Sequence, residues 1–193
     1  MSQVKNSGKI NNFADRAQSV RIGVISDTHI ANKGEHVPGV ILDAFKRVDL
    51  IIHAGDIVSL GVIDELKSVC AKVAVVAGNM DQEAVRKKYP LKQILEILGH
   101  RVGLMHGMGP ALNLPQLLKN VFQEDNCDLI IFGHSHKPMN ERIGMVLFFN
   151  PGSATDLTAA YNSYGIIELR ERSLDSGCSV DSHSGIEAKI IKI

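Results

Sequence analysis

Seven side chains able to hold a metal ion stand at the ends of short apolar runs. One run closes in "SDTH", with Asp27 and His29 two residues apart, and the next closes in "HAGD", with Asp56. "AGNMD" supplies Asn79, "GLMHG" supplies His106, and "FGHSH" supplies His134 and His136. In extended backbone a spacing of two sends both side chains to one face. On that basis Asp27/His29 and His134/His136 are pairs able to converge on one point. Seven oxygen and nitrogen ligands are too many for one tetrahedral zinc; they suit two divalent ions that share a bridging carboxylate. A shell of carboxylate, amide and imidazole favours manganese, iron or zinc over calcium or magnesium. Taken singly, each residue has a plainer role: Asp27 as a turn cap, Asp56 as a helix cap, His106 as a core histidine, Gly78-Asn79 as a turn. Together they do not, because chance does not put all of these at successive run ends.

The elements that must position these residues follow from the apolar periodicity. Residues 19–27, 49–56, 72–79 and 127–134 are β-branched runs, and 39–48 and 60–70 carry apolar residues at helical spacing. That alternation implies parallel strands buried on both faces, with ligands at their carboxyl ends. "KQILEIL" and "RVGLMHG", joined by Gly99-His100, read as a hairpin, and "ERIGMVLFFNPGS" as another turning near Gly144. "YGIIELR" and "IEAKIIKI" bracket a polar loop from about 172 to 185. Early βα units followed by hairpins point to an α/β fold of two packed mixed β-sheets, a β-sandwich flanked by helices. Residues 1–18 read as a flexible polar tail, and 19–193 as a single domain.

Composition narrows the class without touching the chemistry. The chain has 193 residues, 45% hydrophobic, with 21 Lys and Arg against 21 Asp and Glu. That balance gives no footprint for nucleic acid or an anionic membrane. No apolar run approaches the ~20 residues of a membrane helix, and the N-terminus lacks the apolar centre of a signal peptide. Cys70, Cys127 and Cys178 are scattered and odd in number, which argues against a disulfide framework and for a reducing, cytoplasmic setting.

The ordered set "SDTH", "HAGD", "GNMD", "LMHG" and "GHSH" resembles the signature of the calcineurin-like metallophosphoesterases, and the late "NPGSAT" resembles the small YfcE-like branch of that family. The resemblance implies two packed sheets flanked by helices in an αββα arrangement. It implies one metal held by Asp27, His29, Asp56 and His136, and a second held by Asp56, Asn79, His106 and His134, with Asp56 bridging. Manganese is the expected metal, with iron, zinc or nickel as alternatives, and the catalytic work falls on Asp56, Asn79 and His106. The implied activity is hydrolysis of a small phosphate ester, most readily a diester, by a hydroxide bridging the two ions. The same branch includes the retromer subunit Vps29, so a non-catalytic protein-binding scaffold is the alternative, and a homo-oligomer stays open. One departure stands out: many relatives carry histidine where this chain has Met80, and a thioether cannot protonate a leaving group. Asp81, that histidine's usual partner, is expected only to cap the helix beginning "QEAVRKK". His53 reads as structural, and His36, His100 and His183 as solvated residues of loops or turns. Ser153 and Thr155 carry no assigned chemistry.

Overall fold

The computed structural model describes residues 18–32, 34–172 and 185–193. The expected tail, apart from Gln18, most of the polar loop at 172–185, and His183 lie outside these residues. Among the described residues, ten strands form two five-stranded mixed sheets. The first has the order β10-β9-β1-β2-β3, from β1 (Ser19–Ile25), β2 (Leu50–His53), β3 (Val73–Val75), β9 (Ser163–Arg170) and β10 (Ile186–Lys192). The second has the order β4-β5-β6-β8-β7, from β4 (Lys92–Ile97), β5 (His100–Met105), β6 (Leu129–Ile131), β7 (Met139–Ile143) and β8 (Val146–Asn150). β1, β2 and β3 run parallel, as do β5, β6 and β8, while the hairpin strands pair antiparallel.

Period-2 patterning sorts the apolar residues into layers. Val20, Ile22 and Val24 face Leu129, Ile131 and Phe149 across the space between the sheets. The alternate residues Ile25 and Ile51 pack under α1 (Gly39–Phe45) and α2 (Leu60–Val69), and Ile130 and Phe132 under α4 (Leu114–Val121). Each such side chain contributes about 1.5–3 kcal/mol by leaving water. The four layers are those expected from the sequence.

Three local expectations need correction. The first hairpin turns on Leu98 and Gly99, both at positive φ (50° and 81°), as a two-residue primed turn requires. His100 is therefore the first residue of β5; it is fully buried and reaches Arg170 O with Nε2 at 2.8 Å, so it is not a solvated turn residue. Helix α3 (Glu83–Lys88) has Gln82 at its N-cap without a side-chain cap bond, so Asp81 does not cap it. Finally, α4 was not among the expected helices; Leu114 and Leu118, one turn apart, bury the face that closes the second sheet.

Candidate metal centre

The strands stop before the ligands begin. β1 ends at Ile25, and Asp27 and His29 then take φ of 52° and 45°; Asp56, His134 and His136 take 54°, 68° and 56°. The paired ligands are thus not two apart on extended backbone, as the spacing suggested. They converge because these residues occupy the left-handed region, where a non-glycine residue is strained by about 1–3 kcal/mol unless its surroundings hold it. Glycines let the loops meet. A Cβ on Gly78 would lie 2.1 Å from Asp56 Oδ1, and one on Gly133 would lie 1.9 Å from Ser26 Oγ and 2.6 Å from Asp27 Oδ2. The "GN" and "GH" motifs need their glycine for this close approach.

All seven expected ligands meet at one place. His136 Nε2 lies 3.3 Å from Asp27 Oδ1 and 3.2 Å from His29 Nε2. His29 Nε2 lies 3.9 Å from Asp27 Oδ1 and 3.7 Å from Asp56 Oδ2, and His106 Nε2 lies 3.2 Å from Asp56 Oδ2. Asn79 Oδ1 joins the second group, 3.1 Å from His106 Nε2 and 2.9 Å from His134 Nδ1. Asp27, His29 and His136 form one cluster with metal-ligand spacing, and Asp27, Asp56 and His106 form another. Asp27 is common to both, while Asp56 Oδ2 faces a histidine of each.

The far side of each ring decides what it offers inward. A carbonyl only accepts, so the nitrogen facing it carries the proton. His106 Nδ1 donates to Ala54 O (2.8 Å) and His134 Nε2 to Gly109 O (2.8 Å); His136 Nδ1 donates to the Asp156 carboxylate (2.7 Å). The neutral rings then aim lone pairs at carboxylates and at the Asn79 carbonyl. Acceptors facing acceptors fit a cation, and the donor set suits a divalent one. Without a metal, protons serve instead. The hydrogen bond to Asp27 lifts His136 to about 9 despite partial burial. Burial opposes charge on His106, but its hydrogen bond to Asp56 and the field of Asp27 carry it above the ordinary value. Burial likewise opposes charge on Asp56, and its hydrogen bond with His106 draws its carboxyl below the usual range.

Several residues to which the sequence assigned no ligand role support the site. Asp81 Oδ1 accepts from Ile57 N and Val58 N, and its Oδ2 from Gly78 N, so it ties the Asp56 loop to the Asn79 loop. Met80 N donates to Asp56 Oδ1 (2.7 Å), which leaves Oδ2 facing the histidines. Ser153 Oγ donates to Asp27 O (2.7 Å), and Thr155 Oγ1 to Thr28 O. Asp156 had only its place after "NPGSAT" as a signal. His53 is structural as expected: its Nδ1 accepts from Gly55 N, and Nε2 meets Thr28 Oγ1.

Residues 20–172 match the calcineurin-like phosphoesterase superfamily domain. A probable metallophosphoesterase of Methanothermobacter thermautotrophicus is 36% identical over 155 residues, covering 80% of this chain and 89% of that protein. Phosphodiesterase YfcE of Escherichia coli is 35% identical over 102 residues, about half of each chain (49% and 50%). Among solved structures, Vacuolar Protein Sorting 29 from Cryptosporidium parvum superposes with a TM-score of 0.71 at 20% identity, covering 92% of this chain and 99% of that one. That likeness concerns the fold. With a family match over most of its length and the family's ligand types gathered at one site, the chain belongs to the calcineurin-like phosphoesterase superfamily.

Proposed function

We propose that this chain is a dinuclear metal-dependent phosphodiesterase acting on small phosphate esters. The observation that carries the reading is the convergence of three imidazole lone pairs, two carboxylates and the Asn79 carbonyl on one another. Asp27, His29, Asp56 and His136 would hold one ion, and Asp56, Asn79, His106 and His134 the other, with manganese preferred and iron, zinc or nickel as alternatives. When bound, the ions supply a lowered pKa for a water molecule and a clamp on the phosphoryl oxygens. Asp56 is held ionised for this work, and His106 is oriented through Ala54. The amide nitrogen of Asn79, at the end not facing the histidines, carries N–H donors for a phosphoryl oxygen.

Met80 is 60% exposed beside the site and has no proton to give. The absence of a general acid there, typically worth ~10²–10⁴-fold, favours diesters with good leaving groups over alkyl monoesters. The scattered, odd-numbered cysteines support a reducing, cytoplasmic setting, and among the described residues no helix is long and apolar enough to cross a membrane. The complete ligand set supports an enzyme over a protein-binding scaffold, which does not need it.

Metal-stripped protein given manganese is expected to hydrolyse an aryl phosphodiester, and Asp56→Ala to lose more than ~100-fold, beyond the cost of losing an outer partner. Turnover that survives in Asp56→Ala would sink the reading. Met80→His should shift the preference toward the monoester; an unchanged ratio would remove the leaving-group argument.

A further inference from the structure

The segment after β8 braces the two loops that carry Asp27 and His136. Asn150 Nδ2 donates to Gly133 O (2.7 Å) and Ser135 Oγ (3.1 Å), under the His134–His136 loop. Ser153 and Thr155 hold the backbone of Asp27 and Thr28. Asp156 follows directly, with Oδ2 at 2.7 Å from His136 Nδ1. Asp156 is itself pinned: its backbone N–H donates to Ser153 Oγ (3.0 Å), and its Oδ1 accepts from both Thr158 N and Thr158 Oγ1, each at 2.7 Å.

We propose that Asp156 is a positioning residue, holding His136 in the Nδ1–H tautomer with its Nε2 lone pair aimed at the ion shared with Asp27 and His29. This rests on the metal-binding reading above, whatever the number of ions. A carboxylate only accepts, so the ring nitrogen against Oδ2 must donate, and the lone pair falls on the nitrogen 3.3 Å from Asp27 Oδ1. Asn150 holds the loop that carries the ring, and Thr158 holds the carboxylate it meets.

The two donors of Thr158 make the charge of Asp156 irreplaceable by its amide. In Asp156→Asn the amide oxygen stays with Thr158, where two N–H or O–H groups already point. The NH₂ then turns toward His136, whose Nδ1 must accept and whose proton moves to Nε2. The proton would occupy the direction in which the ion binds. Asp156→Ala imposes no such reversal, since water can accept from Nδ1. A role in packing alone predicts the opposite order, with the near-isosteric amide milder than alanine. Amide substitution of the aspartate in Ser-His-Asp triads acts through the same wrong-tautomer effect.

The test is equilibrium dialysis of metal-stripped full-length protein against Co²⁺, read by bound stoichiometry and by the visible absorption of each site. Wild type should take up two ions. Asp156→Asn should keep one at wild-type affinity and bind the other ~10–100-fold more weakly, with Asp156→Ala weakened no more than the amide variant. Wild-type affinity for both ions in Asp156→Asn would overturn the proposal. So would equal loss of both ions, or a larger loss in alanine than in asparagine. Wild type that binds no Co²⁺ would defeat the metal reading itself, and this inference with it. A single ion in wild type, weakened by Asp156→Asn, would keep the role of Asp156 while removing the dinuclear assignment.

Discussion

Leu129 and Asp27 are both fully buried, and they belong to layers built in opposite ways. Leu129 sits between the sheets, packed among apolar side chains. Asp27 sits where the strands end, with Ser26, Asp56 and His106 also buried around it. The first layer gains from every contact. The second gathers buried charge and left-handed backbone, each costly unless its surroundings compensate. Stability therefore resides between the sheets and chemistry at their ends, and substitutions should separate the two.

The largest effect expected on stability is Leu129→Ala, at about 2–5 kcal/mol from lost burial and the cavity left behind. While the variant stays folded, its metal affinity should match wild type; urea denaturation beside Co²⁺ binding checks both. Gly133→Ala should reverse the pattern. Its Cβ would collide with Ser26 Oγ and Asp27 Oδ2, with an overpacking cost of about 1–3 kcal/mol and loss of metal binding. Retained binding in Gly133→Ala would mean that the ligand loops are softer than their contacts indicate.

Two histidines sharpen the contrast through pH. Burial pushes His53 down to about 3, whereas an unfolded histidine titrates near 6.5. The unfolded chain thus binds a proton that the folded one refuses. His53 contributes stability that is fully present above about pH 6.5 and is lost as pH falls toward 3. His136, lifted to about 9 in the metal-free protein, has the opposite sign: its contribution is full below about 6.5 and fades as pH rises through 9. Between pH 7 and 5 the metal-free wild type should lose about 2 kcal/mol more than His53→Gln, which cannot titrate. Equal slopes in urea titrations at the two pH values would contradict this. Smallest of all is His29→Gly. It relieves a left-handed φ of 45° and loosens the unfolded chain, so metal-free stability should stay within about 1 kcal/mol. Stabilisation by added metal, about 2.7 kcal/mol at 100 times Kd, should shrink sharply.

Much of the fold was legible because burial leaves a period. Val20, Ile22 and Val24 alternate, and parallel strands buried on both faces read as continuous apolar runs. Helix α4 was harder to see, since its buried face rests on Leu114 and Leu118 beside Pro115, within a polar stretch. The first hairpin was displaced by one residue, because Leu98 accepts a positive φ that side chains rarely favour.

For the site, residue types and order were written in the chain: a metal needs carboxylates and imidazoles, and few other side chains will do. The seven candidate ligands could be named from that chemistry, but not the close approach that requires glycine at Gly78 and Gly133. Nor could the ligands' geometry. Spacing suggested extended backbone for Asp27/His29 and His134/His136, and the chain instead turns left-handed at all four. Only packing against distant loops holds such strain. Asp156 belongs to the same class: it lies 20 residues from His136 in sequence and 2.7 Å from its ring in space. A ligand's identity is local chemistry, which sequence records. Its orientation depends on partners brought close by the two sheets, and that juxtaposition exists only in the folded protein.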